Sequence, residues 1–167
     1  MRTAHSIRLL ARVALLLGIT LAIQALRLPA PVTGPLVNLM LILSTALVGV
    51  AGGVSIGLLT PWAALFMGIL PPALAPAVPF IMGGNALYCL LFGLLNTRFK
   101  GGDLVGVGAG SILKFALIAA PASYLLQLPS PLVEMLLAPQ LINALIGGVA
   151  ALLLIRPMRQ ALSNRKR

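Results

Sequence analysis

Long apolar runs, separated by short clusters of proline, glycine or charge, set the pattern of this chain. The runs cover approximately 7–26, 36–50, 54–70, 77–95, 104–126 and 140–155. A bilayer crossing needs about 20 mostly apolar residues, so the pattern predicts an all-α, polytopic membrane protein with six transmembrane helices. Six crossings fit with short connections, and seven would be crowded.

The separators differ in kind. The segment 26–38, LRLPAPVTGPLVN, holds Pro29, Pro31 and Pro35 and reads as an irregular lid or mouth that also carries Arg27, Thr33 and Asn38. After the second run, Gly52 and Gly53 mark a tight reversal without charge, and Gly49, Gly53 and Gly57 recur every four residues across it. That spacing implies two closely packed antiparallel helices or a sharply bent turn. Pro61 and Trp62 fall within the third run, where a proline removes a backbone hydrogen bond and kinks the helix. Pro71, Pro72 and Pro76 form the next connection. A basic loop with Arg98, Lys100 and Asp103 follows the fourth run, and the 127–139 connection holds Glu134 and an apolar stretch, 132–137, read as a short interfacial helix.

Composition agrees with the bilayer as solvent. Of 167 residues, 60% are hydrophobic and 8% charged, against about 25% charged in soluble domains. The mean hydropathy is +1.08. The runs follow one another too closely to leave room for a separate folded unit, so the chain reads as one membrane domain, 1–167. The N-terminus resembles a signal peptide but has no clean cleavage site before the proline segment, and reads as a retained first span. Cys89 stands alone inside an apolar run, which excludes an intramolecular disulfide and a cysteine metal cluster.

The net charge of +10 raises nucleic-acid binding as a reading, but the distribution of the basic residues favours membrane anchoring. Ten of the twelve lie in the N-terminal segment, in the 96–103 loop or at the C-terminus, the exceptions being Arg27 and Lys114. With six spans these three segments share a side, and the positive-inside rule makes it the cytoplasm, with both termini there. The proline-rich segment, the Pro71–Pro76 connection and the Glu134 connection then face outside and surround one mouth.

Among polar residues Lys114 is the sharpest signal, because an ammonium deep in a membrane helix costs several kcal/mol without a cavity, partner or ligand. Both carboxylates, Asp103 and Glu134, fall in loops on opposite sides. Asn38 and Asn143 are expected just below the outer surface, with Trp62 and Asn85 deeper. Asn85 and Tyr88, three apart, share a helix face. Each amide has two readings, an interhelical hydrogen bond or a pocket wall. The candidate solute-binding set is therefore Thr33, Asn38, Trp62, Asn85, Tyr88, Lys114 and Asn143. No phosphate-binding glycine loop or histidine metal motif occurs, His5 lies in the basic N-terminus, and Ser111 with Lys114 is a weak match to a serine–lysine catalytic spacing. No cofactor and no metal are expected.

In the first run Ala14, Gly18 and Ala22 lie on one helix face. Small residues allow close backbone contact in lipid, so the stripe serves either a neighbouring span or another protein.

The run PVTGPLVNLMLILSTALVGVAGGVSIGLLTPW, six spans in a chain this short and a small-residue first helix together resemble the substrate-binding S components of energy-coupling factor (ECF) transporters. The likeness covers most of the chain in architecture. It implies a non-enzymatic subunit in a prokaryotic plasma membrane that captures a vitamin or similar micronutrient from outside and delivers it with a coupling subunit and two separate ATPases. It further implies docking on the coupling subunit through Ala14, Gly18 and Ala22, with glycine where the family's pattern has alanine. The segment with Leu28, Pro29, Pro31, Gly34 and Pro35 would cap the solute. A pocket near the outer ends of the later helices is compatible with Lys114 and Asn143. Two other classes stay open: a small membrane enzyme acting on lipid or isoprenoid intermediates, and a structural membrane subunit.

Overall fold

A computed structural model describes the backbone over residues 2–164 and the side chains over 6–155 with Pro157 and Met158. Arg165, Lys166 and Arg167, counted above as cytoplasmic anchors, lie outside the described residues, as do the side chains of Arg2, His5, Arg156 and Arg159.

Within the described residues all regular structure is helical, with no strand. The helices are α1 (Arg2–Ala25), α2 (Ala30–Phe66), α3 (Val78–Leu95), α4 (Gly102–Tyr124), the short α5 (Ser130–Leu136) and α6 (Ala138–Asn164), with a 3₁₀ turn at Pro72–Ala77 before α3. Five of them are long and apolar enough to cross a membrane, α5 and α6 counting as one stretch and the 3₁₀ turn being joined to α3.

The 37 residues of α2, if straight, would be about 55 Å long against a hydrocarbon core of ~30 Å. They are not straight. Gly49 sits at φ 85°, ψ 173°, a region open almost only to glycine, and breaks the helix. A Cβ on Gly53 would lie 2.9 Å from the Thr45 Cα, whereas eight residues along one helix span about 12 Å. The chain therefore doubles back at Gly49, making a first limb from Ala30 and a second limb to Phe66. The reversal falls three residues before the Gly52–Gly53 pair expected from sequence; Gly49 alone takes the left-handed backbone, and Gly53 serves the close packing of the limbs.

The proline-rich stretch also differs from expectation. Helix α2 begins at Ala30, so only residues 26–29 connect it to α1, and Pro31, Thr33, Gly34 and Pro35 are helical. Pro29 caps the helix and Pro31 lies in its first turn, where the N–H groups have no intrahelical acceptor and a missing donor costs nothing. Thr33 Oγ1 donates back to the Leu28 carbonyl at 2.9 Å and ties the connection down. Arg27 turns the corner at φ 49°, a position usually given to glycine after a helix end.

Helix α3 packs on both α2 and α4, α6 closes against α2 and α4, and α1 lies outside against α2. Along α3 and α4 the register is antiparallel: Gly110 meets Tyr88, Gly106 meets Phe92 and Gly102 meets Leu95. One end of the bundle carries the Gly49 reversal and the 96–101 connection, with a packed core of Leu41, Ile42, Ile56, Cys89, Phe92 and Ala151. A smaller cluster of Leu74, Ala77, Ile118, Ala122 and Leu136 ties the 3₁₀ turn and α5 over the far end of α4.

Helix α1 meets the bundle through Val13, Leu16, Leu17 and Ile23, with Thr20 fully buried. Ala14, Gly18 and Ala22 are exposed on its other side, and a Cβ on Gly18 would find no atom within 4 Å. Among the described residues no neighbouring span occupies the stripe.

Candidate functional site

Between the packed core and the α5 cover lies a cavity of about 470 Å³. Its polar lining comes from every long helix in turn. Helix α1 supplies Gln24, the first limb of α2 Thr33 and Asn38, the second limb Thr60, α3 Asn85, α4 Lys114 and α6 Gln140 and Asn143. Asn38 and Thr60 share this wall only because α2 doubles back. Pro61 lines it too, and without an N–H it leaves the Gly57 carbonyl lacking its helical donor. Leu70, Leu74, Met135 and Leu136 close the cavity from the connections, and Pro31 and Gly34 from the start of α2.

Lys114 is the only ionisable side chain among the lining residues, and it is 2% exposed. Its Nζ donates to Asn38 Oδ1. Asn38 in turn donates its Nδ2 to the Gly34 carbonyl at 2.9 Å, which points the amide oxygen at the ammonium. The Tyr88 ring lies 5.5 Å from Nζ at its centroid, within range of a cation–π attraction. Tyr88 is itself pinned, its hydroxyl donating to the Ala144 carbonyl at 2.7 Å.

Glycines make room for each member of this group. The Lys114 stem passes Gly84, where a Cβ would stand 3.2 Å from Cγ. Tyr88 is held between Gly110 and Gly148, and Asn38 lies against Gly147, where a Cβ would come within 2.7 Å of its own. Side chains at these positions would push α4 or α6 away and open the cation to the lipid.

No carboxylate joins the group. Asp103, at the start of α4, accepts the Leu104 N–H, and Glu134 is exposed on α5. Lys114 therefore carries its charge without an ion pair among the described residues.

Of the residues singled out from sequence, the fold gathers Thr33, Asn38, Asn85, Lys114 and Asn143 around one cavity. Tyr88 lies behind Lys114, fully buried, and touches the cation rather than the open space. Trp62 lies elsewhere: it is 49% exposed and packs against Phe66, the ring centroids 4.5 Å apart and the planes tilted by 46°. It follows Pro61 by one residue, about 100° around the helix, so a wall position for Pro61 turns Trp62 away. Pro31 and Gly34 of the expected cap line the cavity, while Leu28, Pro29 and Pro35 do not. Gln24, Thr60 and Gln140 are lining residues that sequence reasoning passed over. Gln24 and Gln140, polar residues within or bordering apolar runs, carried the signal.

The chain matches no protein-family model, no curated protein and no solved structure.

Proposed function

We propose that this chain is the solute-capture subunit of a membrane importer of the ECF type, crossing a prokaryotic plasma membrane six times with both termini in the cytoplasm. The reversal at Gly49 supports the sixth crossing, since it divides α2 into two limbs of roughly bilayer length. The Arg98 and Lys100 connection lies at the same end of the bundle as that reversal and the start of α1, the end the positive-inside rule assigns to the cytoplasm. The cavity then faces outside.

One observation carries the reading: a cavity within the 300–1,000 Å³ usual for small-molecule sites, walled by one polar group or more from each helical limb and holding an unneutralised ammonium. A subunit that only assembles partners has no use for such a space, and an unpaired buried cation lowers stability unless a ligand meets it. The solute enters between α5 and the start of α2. The exposed Ala14, Gly18 and Ala22 stripe is the surface for a coupling subunit, whose ATPases drive release.

Native mass spectrometry of the chain extracted from its own membranes tests this. A small molecule bound at one per chain is the expected result. A chain that carries none, and binds none on exposure to pooled cell metabolites, overturns the capture role.

A further inference from the structure

The charge balance of the cavity bears on the class of solute, an inference that rests on the capture reading. An ammonium has three N–H donors, and Lys114 spends one on Asn38, leaving two for the cavity it lines. Asn38 is a neutral dipole and cannot cancel the charge. The rest of the polar lining, Gln24, Thr33, Thr60, Asn85, Gln140 and Asn143, is uncharged. The lining residues by themselves thus bring one positive charge without a counter-charge, inside a membrane where such a charge is costly.

Three solute classes meet that charge differently. A neutral solute displaces water and leaves the cation uncompensated. A phosphomonoester, at about −1.5 to −2 near neutral pH, exchanges an excess positive charge for an excess negative one, with no second cation to meet it. A single carboxylate brings the filled cavity to zero. Between the polar groups the walls are apolar, with Leu70, Ile81 and Leu136 among them. Two carboxamides also wait for partners among the described residues: Asn85 is 3% exposed and its side-chain amide forms no hydrogen bond there, and Gln24 Nε2 is buried without an acceptor. Buried polar groups left unmade cost free energy that a bound molecule restores.

We propose that the cavity takes a monocarboxylate with an apolar body and at least one uncharged hydrogen-bonding group, the carboxylate on Lys114 and the uncharged group on the carboxamides of Asn85 and Gln24. Selectivity for one negative charge follows from there being one cation. Asn38 and Tyr88 hold the ammonium in place before the solute arrives, so little ordering accompanies binding.

The test uses the purified chain in lipid nanodiscs and three probes with a common body whose ether oxygen can accept from a carboxamide: 4-phenoxybutyrate, 4-phenoxybutyramide and 4-phenoxybutyl phosphate. The carboxylate is expected to bind at least about tenfold more tightly than the other two. Lys114→Met is expected to weaken it on the order of thirtyfold, with Lys114→Gln as the second variant if the first does not accumulate. An amide or phosphate that binds as tightly as the carboxylate, or a carboxylate preference that survives both substitutions, overturns the monocarboxylate assignment and leaves solute capture standing. A molecule that co-purifies is held to the same standard: one carboxylate supports the assignment, none or two overturns it. Failure of all three probes, together with no co-purified molecule and none taken up from pooled cell metabolites, removes the capture reading and this inference with it.

Discussion

At the Gly49 end of the bundle, Leu41, Ile42, Ile56, Cys89 and Phe92 are fully enclosed, whereas at the other end the same helices stand around a space of about 470 Å³. Both ends are made of apolar helices in the same order. What differs is how the backbones meet. Near the Gly49 end, Gly53 lies on Thr45, Gly93 on Val50, Gly102 on Leu95 and Gly106 on Phe92, and each glycine lets two helices approach until side chains fill what remains. Toward the cavity end Pro61 breaks a backbone hydrogen bond and amides replace aliphatic side chains, so the limbs enclose space instead of filling it. In lipid, where leaving the surroundings gains an apolar side chain little, packing of this kind decides which end is solid.

The comparison breaks first at Phe92. Phe92→Ala leaves a void in the solid end and is expected to lower the unfolding free energy by about 3–5 kcal/mol, while Ile81→Ala, on a wall that already borders empty space, costs about 1–2 kcal/mol. Denaturant titration in mixed micelles measures both; equal losses would mean that the cavity end is packed as tightly as the other. Next comes the cation. Lys114→Met removes a buried charge from the empty cavity and is expected to raise stability by about 2–3 kcal/mol in the same titration, a gain in folding set against a loss of binding.

At the turn between the limbs, Gly49→Ala forces a side chain onto φ 85° and costs about 1–3 kcal/mol, read as a lowered midpoint. An unchanged midpoint would place the reversal elsewhere. The smallest effect belongs to α1, outside both regions. Gly18→Leu meets open space and shifts stability by no more than about 0.5 kcal/mol, yet under the proposed docking role is expected to abolish co-purification with the coupling subunit proposed to bind there. A large loss of stability there would mean that the stripe packs within the chain.

Several of these features were readable in the residues. The apolar runs located α3 and α4 to within a few residues, because a crossing has a required length and the separators are rich in proline, glycine or charge, whereas α1 and α6 continue beyond their runs into the basic terminal segments. Lys114 announced itself, since an ammonium inside an apolar helix has few physical justifications. The start of α2 was misjudged at Pro31, because proline is read as a helix breaker although it is welcome in a first turn; Pro35 lies one turn further in, inside the helix. Trp62 was misplaced for a different reason. Lipid and protein core are both apolar, so hydrophobicity along a membrane helix does not say which face turns inward.

Length, apolarity and charge placement along the chain were enough for an all-helical membrane protein with a buried, unmatched cation, because these depend on the bilayer as solvent and on nothing distant in the chain. The partners of that cation could not be read in this way. Asn38, Tyr88 and Lys114 lie on three helices and meet only because Gly49 turns α2 back and Gly84, Gly110, Gly147 and Gly148 let α3, α4 and α6 close around them. Which small residue faces which neighbour is a property of helix rotation and register, and in this chain that property joins the charge to a cavity.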